Sequence, residues 1–158
     1  MFKVGEYLVY RKDVCRVKDI REKEGKDYYQ LEPIDDNSLK IEVPVEADTL
    51  RKIISKKDME LLINNIPNIE ILDCNDKMIE FEYKQLLSSG NKEDLIKVIK
   101  TAYLRNKARL ENKKKLSEKD TNYLEKAEKL LYNEFSVVLN LTFEETKDYI
   151  INKVEALV

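Results

Sequence analysis

Apolar and polar residues alternate strictly along Leu39-Lys40-Ile41-Glu42-Val43-Pro44-Val45, so the two kinds of side chain leave opposite faces of an extended segment. Pro44 has no N–H to give to a ladder, which places it on a sheet edge or at a strand end. Upstream, Tyr7-Leu8-Val9-Tyr10, Val14-Cys15-Arg16-Val17-Lys18-Asp19-Ile20 and Tyr28-Tyr29-Gln30-Leu31-Glu32 are rich in β-branched and aromatic residues and read as further strands. Glu24-Gly25-Lys26 and Asp35-Asp36-Asn37-Ser38 supply the turns between them. Four or five short strands in about fifty residues predict a small, strongly bent sheet or barrel with open edges.

From Ser55 onward the apolar period becomes that of helices. Ser55-Lys56-Lys57-Asp58 reads as a cap ahead of Met59, Leu61, Leu62, Ile63 and Ile66, with Pro67 closing the helix. A second helix runs from Asp76 to Leu87 with Ile79, Phe81, Tyr83, Leu86 and Leu87, and ends near Gly90. Asn91 caps a third, with Leu95, Val98, Ile99, Ala102 and Tyr103 along one face. Ser117 caps a fourth, whose stripe is Leu124, Ala127, Leu130, Leu131, Phe135, Val138 and Leu139. Thr142 caps a fifth, carrying Tyr149, Ile150, Val154 and Leu157. Five amphipathic helices bury their faces against one another. The fold class is α+β: a β unit over residues 1–52 followed by a five-helix bundle over 53–158.

Composition narrows the function. Apolar residues make up 42% and charged residues 38%, a charge-rich chain that still has enough periodic apolar material for a core. Histidine is absent, which removes a catalytic triad and any zinc site built with imidazole. Three scattered glycines cannot build a phosphate-cradling loop. Asp35-Asp36 fits a turn, and Glu144-Glu145 fits a helix N-terminus, better than either fits an acid/base pair. No metal, no cofactor and no enzymatic activity is expected. Cys15 and Cys74 lack metal-ligand spacing and are expected reduced and at least partly buried. No run approaches the roughly 18 apolar residues of a membrane span. Met1-Phe2-Lys3-Val4-Gly5-Glu6 has no apolar signal region, so a cytoplasmic protein is expected.

Net charge is −2, but it is unevenly spread. Residues 97–119 carry nine basic side chains (Lys97, Lys100, Arg105, Lys107, Arg109, Lys113, Lys114, Lys115, Lys119) against Glu111 and Glu118. Two readings stay open: lysines that keep a bundle soluble, or a patch that docks on phosphates by releasing counterions. Arg105 and Arg109 share a helix face, which suits a patch. No helix carries the asparagine and arginine pattern of a base-reading recognition helix.

The order of features resembles the CarD/CdnL transcription regulators, whose N-terminal module also occurs in transcription-repair coupling factor. The residues that carry the resemblance are Phe2-Lys3-Val4-Gly5-Glu6 with Val9-Tyr10, Leu39 through Glu46, and Leu50-Arg51-Lys52-Ile53-Ile54. In the helical half they are Leu87-Ser88-Ser89-Gly90-Asn91, Leu116-Ser117-Glu118-Lys119 and the run from Leu124 to Glu134. The resemblance implies a Tudor-like domain that binds the RNA polymerase β subunit by β-augmentation. On that reading Arg21, Lys23, Lys40, Glu42 and Pro44 are the polymerase-contact candidates. It also implies a helical domain that holds promoter DNA at the upstream edge of the bubble and stabilises the open complex. Arg105, Lys107 and Lys126 fall on that basic surface, with Lys113, Lys114 and Lys115 nearby; Arg109 and Lys119 join them from the charge window.

Two departures stand out. The family's tryptophan wedge at the start of the second helix is replaced by Asn75-Asp76-Lys77-Met78-Ile79, and the glycine-rich turn after the first strand by Arg11-Lys12-Asp13-Val14. An apolar wedge is how a minor-groove protein holds base steps unstacked. The rival reading is therefore a polymerase-binding adaptor without DNA binding, and a distant third is an enzyme's accessory domain. A monomer is expected, although an open strand edge could also pair two copies.

Overall fold

A computed structural model describes residues 1–157, with side chains described through Glu155. The side chain of the expected core position Leu157 and the whole of the final residue, Val158, lie outside that description. Five strands come first: β1 (Tyr7–Tyr10), β2 (Asp13–Lys23), β3 (Lys26–Pro33), β4 (Ile41–Pro44) and β5 (Leu50–Lys52). They form one antiparallel sheet in the order β4-β3-β2-β1-β5. The 11-residue β2 pairs with β1 through its first half and with β3 along most of its length, and its register shifts between Val17 and Asp19. Such a bulge bends a strand, which lets a five-strand sheet wrap a core of its own. That core is Leu8, Cys15, Val17, Tyr29, Leu31 and Val43. The Phe2 N–H donates to the Tyr29 hydroxyl at 2.8 Å, closing the sheet's open end.

The helices follow: α1 (Lys56–Asn64), α2 (Asp76–Ser89), α3 (Lys92–Glu111), α4 (Glu118–Leu139) and α5 (Phe143–Leu157). Each begins where a side chain accepts an otherwise orphaned N–H. Ser55 accepts from Asp58, Asn75 from Met78, Asn91 from Glu93 and Ser117 from Asp120. Thr142 and Glu145 make a reciprocal capping box at 3.0 and 3.1 Å. Gly90, with φ 72°, ends α2 in the left-handed region that glycine enters without a Cβ penalty. The bundle core includes Met59, Ile63, Ile79, Tyr83, Val98, Ala102, Ala127, Leu131 and Phe135.

Three expectations are corrected. Leu61 (59% exposed) and Phe81 (54% exposed) face solvent. Each sits between two buried residues spaced four apart, Met59 and Ile63 or Ile79 and Tyr83, and a residue two positions from a buried one points to the opposite side of a helix. Pro67 does not close α1. That helix stops at Asn64, and Ile66, Pro67 and Asn68 form a separate 3-10 turn that buries Ile66. The alternating segment forms a strand only over Ile41–Pro44, leaving Leu39 half exposed ahead of it.

The sheet is fastened to α4. Glu134, 1% exposed, accepts from Arg51 at 2.7 and 3.0 Å and from the Ile54 N–H at 2.8 Å, with Lys92 at 3.4 Å. Asp35, in the β3–β4 loop, meets Lys129 and Asn133 of α4, each at 3.3 Å.

Candidate functional site

The β4 rim is built by register. The Val45 N–H donates to the Asp27 carbonyl at 3.1 Å, which makes 27 and 45 a hydrogen-bonded pair. Hydrogen-bonded and non-hydrogen-bonded pairs alternate along an antiparallel ladder. The main chain of Ile41 and Val43 therefore turns inward to β3, and that of Glu42 and Pro44 turns outward. Pro44 has no N–H, and its carbonyl already accepts from Ala47 at 3.0 Å. The free rim thus narrows to the N–H and C=O of Glu42, with exposed Lys40 just ahead of it.

Register also brings the candidate side chains onto one face. Arg21 pairs with Tyr28 and Tyr28 with Pro44; the next row is Asp19, Gln30 and Glu42. On this face Lys23 reaches Glu42 at 2.7 Å, Gln30 donates to Glu42 at 2.7 Å, and Arg21 pairs with Asp19 at 3.1 Å. Hydrogen bonds from Lys23 and then Gln30 hold the Glu42 carboxyl below its ordinary range, and those from Arg21 and the Ile20 N–H do the same for Asp19. The opposite rim, β5, is only three residues long, and its Arg51 is committed to Glu134.

The basic window divides into cations with partners and cations without. Lys100 is buried and donates to the carbonyls of Ile66 and Ile69 at 2.9 and 2.8 Å, pinning the 3-10 turn to α3. Arg105 bridges Asp76 at the start of α2 and Asp120 on α4; its Nε donates to Asp120 at 3.0 Å. Asp120 is wholly buried and also accepts from the Tyr83 hydroxyl at 2.8 Å. Burial is the largest influence on the Tyr83 hydroxyl, and that hydrogen bond adds to it; both push its pKa far up. Arg109 donates to the Lys115 carbonyl at 2.7 Å, and Lys119 to the Asp76 carbonyl at 3.1 Å. Lys126 sits 5.0 Å from the centre of the Tyr123 ring.

Lys107, Lys113, Lys114 and Lys115 are exposed and form no ion pair among the described residues. The turn that carries three of them is braced. Lys113 occupies the left-handed region with φ 58°, the Lys114 N–H donates to the Arg109 carbonyl at 2.8 Å, and Asn106 accepts from the Ser117 N–H at 2.9 Å. Arg105 and Lys119 both contact Asp76 and Arg109 lies in the last turn of α3, so this charge gathers where α2 begins, α3 ends and α4 begins.

Residues 2–55 match the family model of the CarD-like/TRCF RID domain, and residues 80–151 match that of the CarD C-terminal domain. The chain belongs to the CarD/CdnL family. Its members are non-enzymatic transcription factors, and this chain is an RNA polymerase-interacting transcription regulator. No curated protein matches the chain. The first matched span covers all five strands and ends at the α1 cap. The second begins inside α2, so the α2 N-terminus lies between the two. Met78 there is 45% exposed. No described helix is long and apolar enough to cross a membrane.

Two networks escaped the sequence reading: Glu134 with Arg51, Ile54 and Lys92, and Asp120 with Arg105, Tyr83 and Asp76. A signal existed. Asp120 and Glu134 lie at helical spacing from Tyr123, Ala127 and Leu131, at the two ends of the buried α4 stripe. A carboxylate on such a stripe demands a buried partner.

Proposed function

We propose that the chain bridges the RNA polymerase β subunit and promoter DNA, acting in the cytoplasm as a monomer. Residues 1–52 add a strand of the β subunit to the β4 rim; Glu42 supplies the main-chain hydrogen bonds, and Arg21, Lys23, Lys40 and Pro44 flank them. Residues 53–158 meet DNA at the upstream edge of the bubble. Lys107, Lys113, Lys114 and Lys115 contact phosphates, while Arg105, Arg109, Lys119 and Lys126 contribute field from positions already engaged within the protein. Met78 is the apolar side chain that meets the bubble edge, and open-complex lifetime changes accordingly.

The observation that carries this reading is the Glu134 hub, because it joins the strand-bearing unit to the helix that follows the lysine turn. Two linked weak contacts act at a raised local concentration. The test titrates a promoter fragment at 50 and 200 mM salt. Four phosphate contacts predict a loss of about a hundredfold in affinity across that range, and a Lys113/Lys114/Lys115→Ala variant a loss of only a few-fold.

A second reading, an adaptor that binds polymerase alone, is favoured by the number of cations already spent on internal partners. It predicts binding to the isolated β-subunit lobe without salt-dependent binding to the promoter fragment.

A further inference from the structure

Between α3, α4 and α5 lies a cavity of about 360 Å³, partly open to solvent. Ile99, Leu110, Leu116, Leu124, Ile151 and Val154 supply its apolar walls. The volume falls within the range of about 300–1,000 Å³ typical of sites for small organic molecules. Most polar groups in its lining are already satisfied. Lys100 holds two carbonyls, Asn106 holds Thr121 and Ser117, and Tyr103 donates to Glu155.

Two groups are not. The Tyr132 hydroxyl belongs to a side chain that is 0% exposed, and it has no hydrogen-bond partner. Glu128, 3% exposed, makes no hydrogen bond among the described residues, and its nearest cation, Lys147, is 3.8 Å away. Both line the cavity and stand one turn apart on α4, hence on the same face. A buried polar atom left unpaired is costly and rare in a folded protein. The Tyr132 hydroxyl is such an atom, and Glu128, held only by its ion pair with Lys147, adds an acceptor one turn away; on one apolar cavity the two describe a missing group that both accepts and donates.

We propose that this cavity binds a compact apolar molecule bearing one neutral hydroxyl, whose oxygen accepts from Tyr132 and whose proton is donated to Glu128. An ammonium group is disfavoured by Lys147 beside Glu128, and a carboxylate by Glu128 itself. A plain hydrocarbon leaves both groups unpaired. Leu110 (58% exposed) and Leu116 (49% exposed) form part of the lining and gain cover when the site fills. The cavity shares Lys107 with the proposed DNA surface, but its test reads neither polymerase nor DNA binding.

The full chain is titrated with 4-propylphenol, 4-propylanisole and propylbenzene, following the methyl resonances of Ile99, Leu124, Ile151 and Val154. The phenol is expected to give saturable shifts and to bind about tenfold more tightly than the anisole, which lacks the proton for Glu128, and about a hundredfold more tightly than propylbenzene, which lacks both hydrogen bonds. Tyr132→Phe removes only an unpartnered hydroxyl and keeps the fold; it is expected to lower phenol affinity about tenfold and leave propylbenzene unchanged. Absence of saturable shifts with the phenol, indicating a site that holds only water, overturns the proposal. Equal affinities for the three probes, or a phenol affinity unchanged in Tyr132→Phe, overturn it as well.

Discussion

Glu134→Gln isolates the contact that joins sheet to bundle. The wild-type carboxylate receives two hydrogen bonds from Arg51 and one from the Ile54 N–H, with Lys92 close by, in a pocket that leaves its side chain 2% exposed. Glutamine keeps the volume but turns an NH2 donor toward groups that are all donors. Hydrogen bonds to a charged group contribute about 1.5–3 kcal/mol each. The Arg51 side chain is 46% exposed, so solvent recovers much of its share. A net loss of about 3 kcal/mol follows, or roughly 6–12 °C in Tm for a chain of this length. Urea and thermal unfolding followed by circular dichroism measure it, and a cycle with Arg51→Ala assigns the coupling. Acid gives a second check. Burial alone would raise the Glu134 pKa, but the Arg51 hydrogen bonds, the Ile54 N–H and Lys92 outweigh it and hold the carboxyl low. The unfolded chain then binds the proton first as pH falls. The stabilisation is present above the ordinary glutamate pKa of about 4.3 and is lost as pH drops through the lower folded value. A Glu134→Gln protein within 0.5 kcal/mol of wild type at pH 7 would refute this account of the joint.

Arg105→Ala strands a wholly buried Asp120 carboxylate with only the Tyr83 hydroxyl donating to it, so it is expected to cost about 3 kcal/mol in the same unfolding assay. Glu128→Gln is expected to stabilise the protein at pH 7. Burial raises the Glu128 pKa, so the folded state holds its proton where the unfolded chain has lost it, and stability falls as pH rises above about 4.3. The difference between variant and wild type should vanish below that pH. Met78→Trp places a larger apolar surface at the α2 N-terminus and is expected to lengthen open-complex lifetime in a competitor-challenge assay. An unchanged lifetime removes Met78 from the proposed DNA contact.

Much of this architecture was legible because local signals agreed with one another. The β4 alternation, the placement of Pro44 on a rim, and caps at Ser55, Asn91, Ser117 and Thr142 each rest on backbone chemistry that a sequence displays directly. Leu61 and Phe81 were misassigned because hydrophobicity was read ahead of helical phase. The charge window was harder. Counting side chains cannot reveal that Lys100 is buried against carbonyls, or that Asp76 and Asp120, 44 positions apart in sequence, meet at one guanidinium. Nor can it reveal that Lys113, Lys114 and Lys115 ride on a turn braced by Arg109. Those facts depend on tertiary contacts between helices that are remote in sequence.

The central claim is that one molecule must hold polymerase and DNA together, and complementation tests it most directly. Glu42→Pro removes the rim N–H from a residue whose main chain points away from β3, so it blocks strand addition at an edge position proline tolerates. The Lys113/Lys114/Lys115→Ala variant disables the opposite surface. Open-complex lifetime is measured with wild type, with each variant alone and with both variants mixed. The account predicts that the mixture fails to reproduce the wild-type change, because neither molecule carries both contacts. Full restoration by the mixture would contradict it.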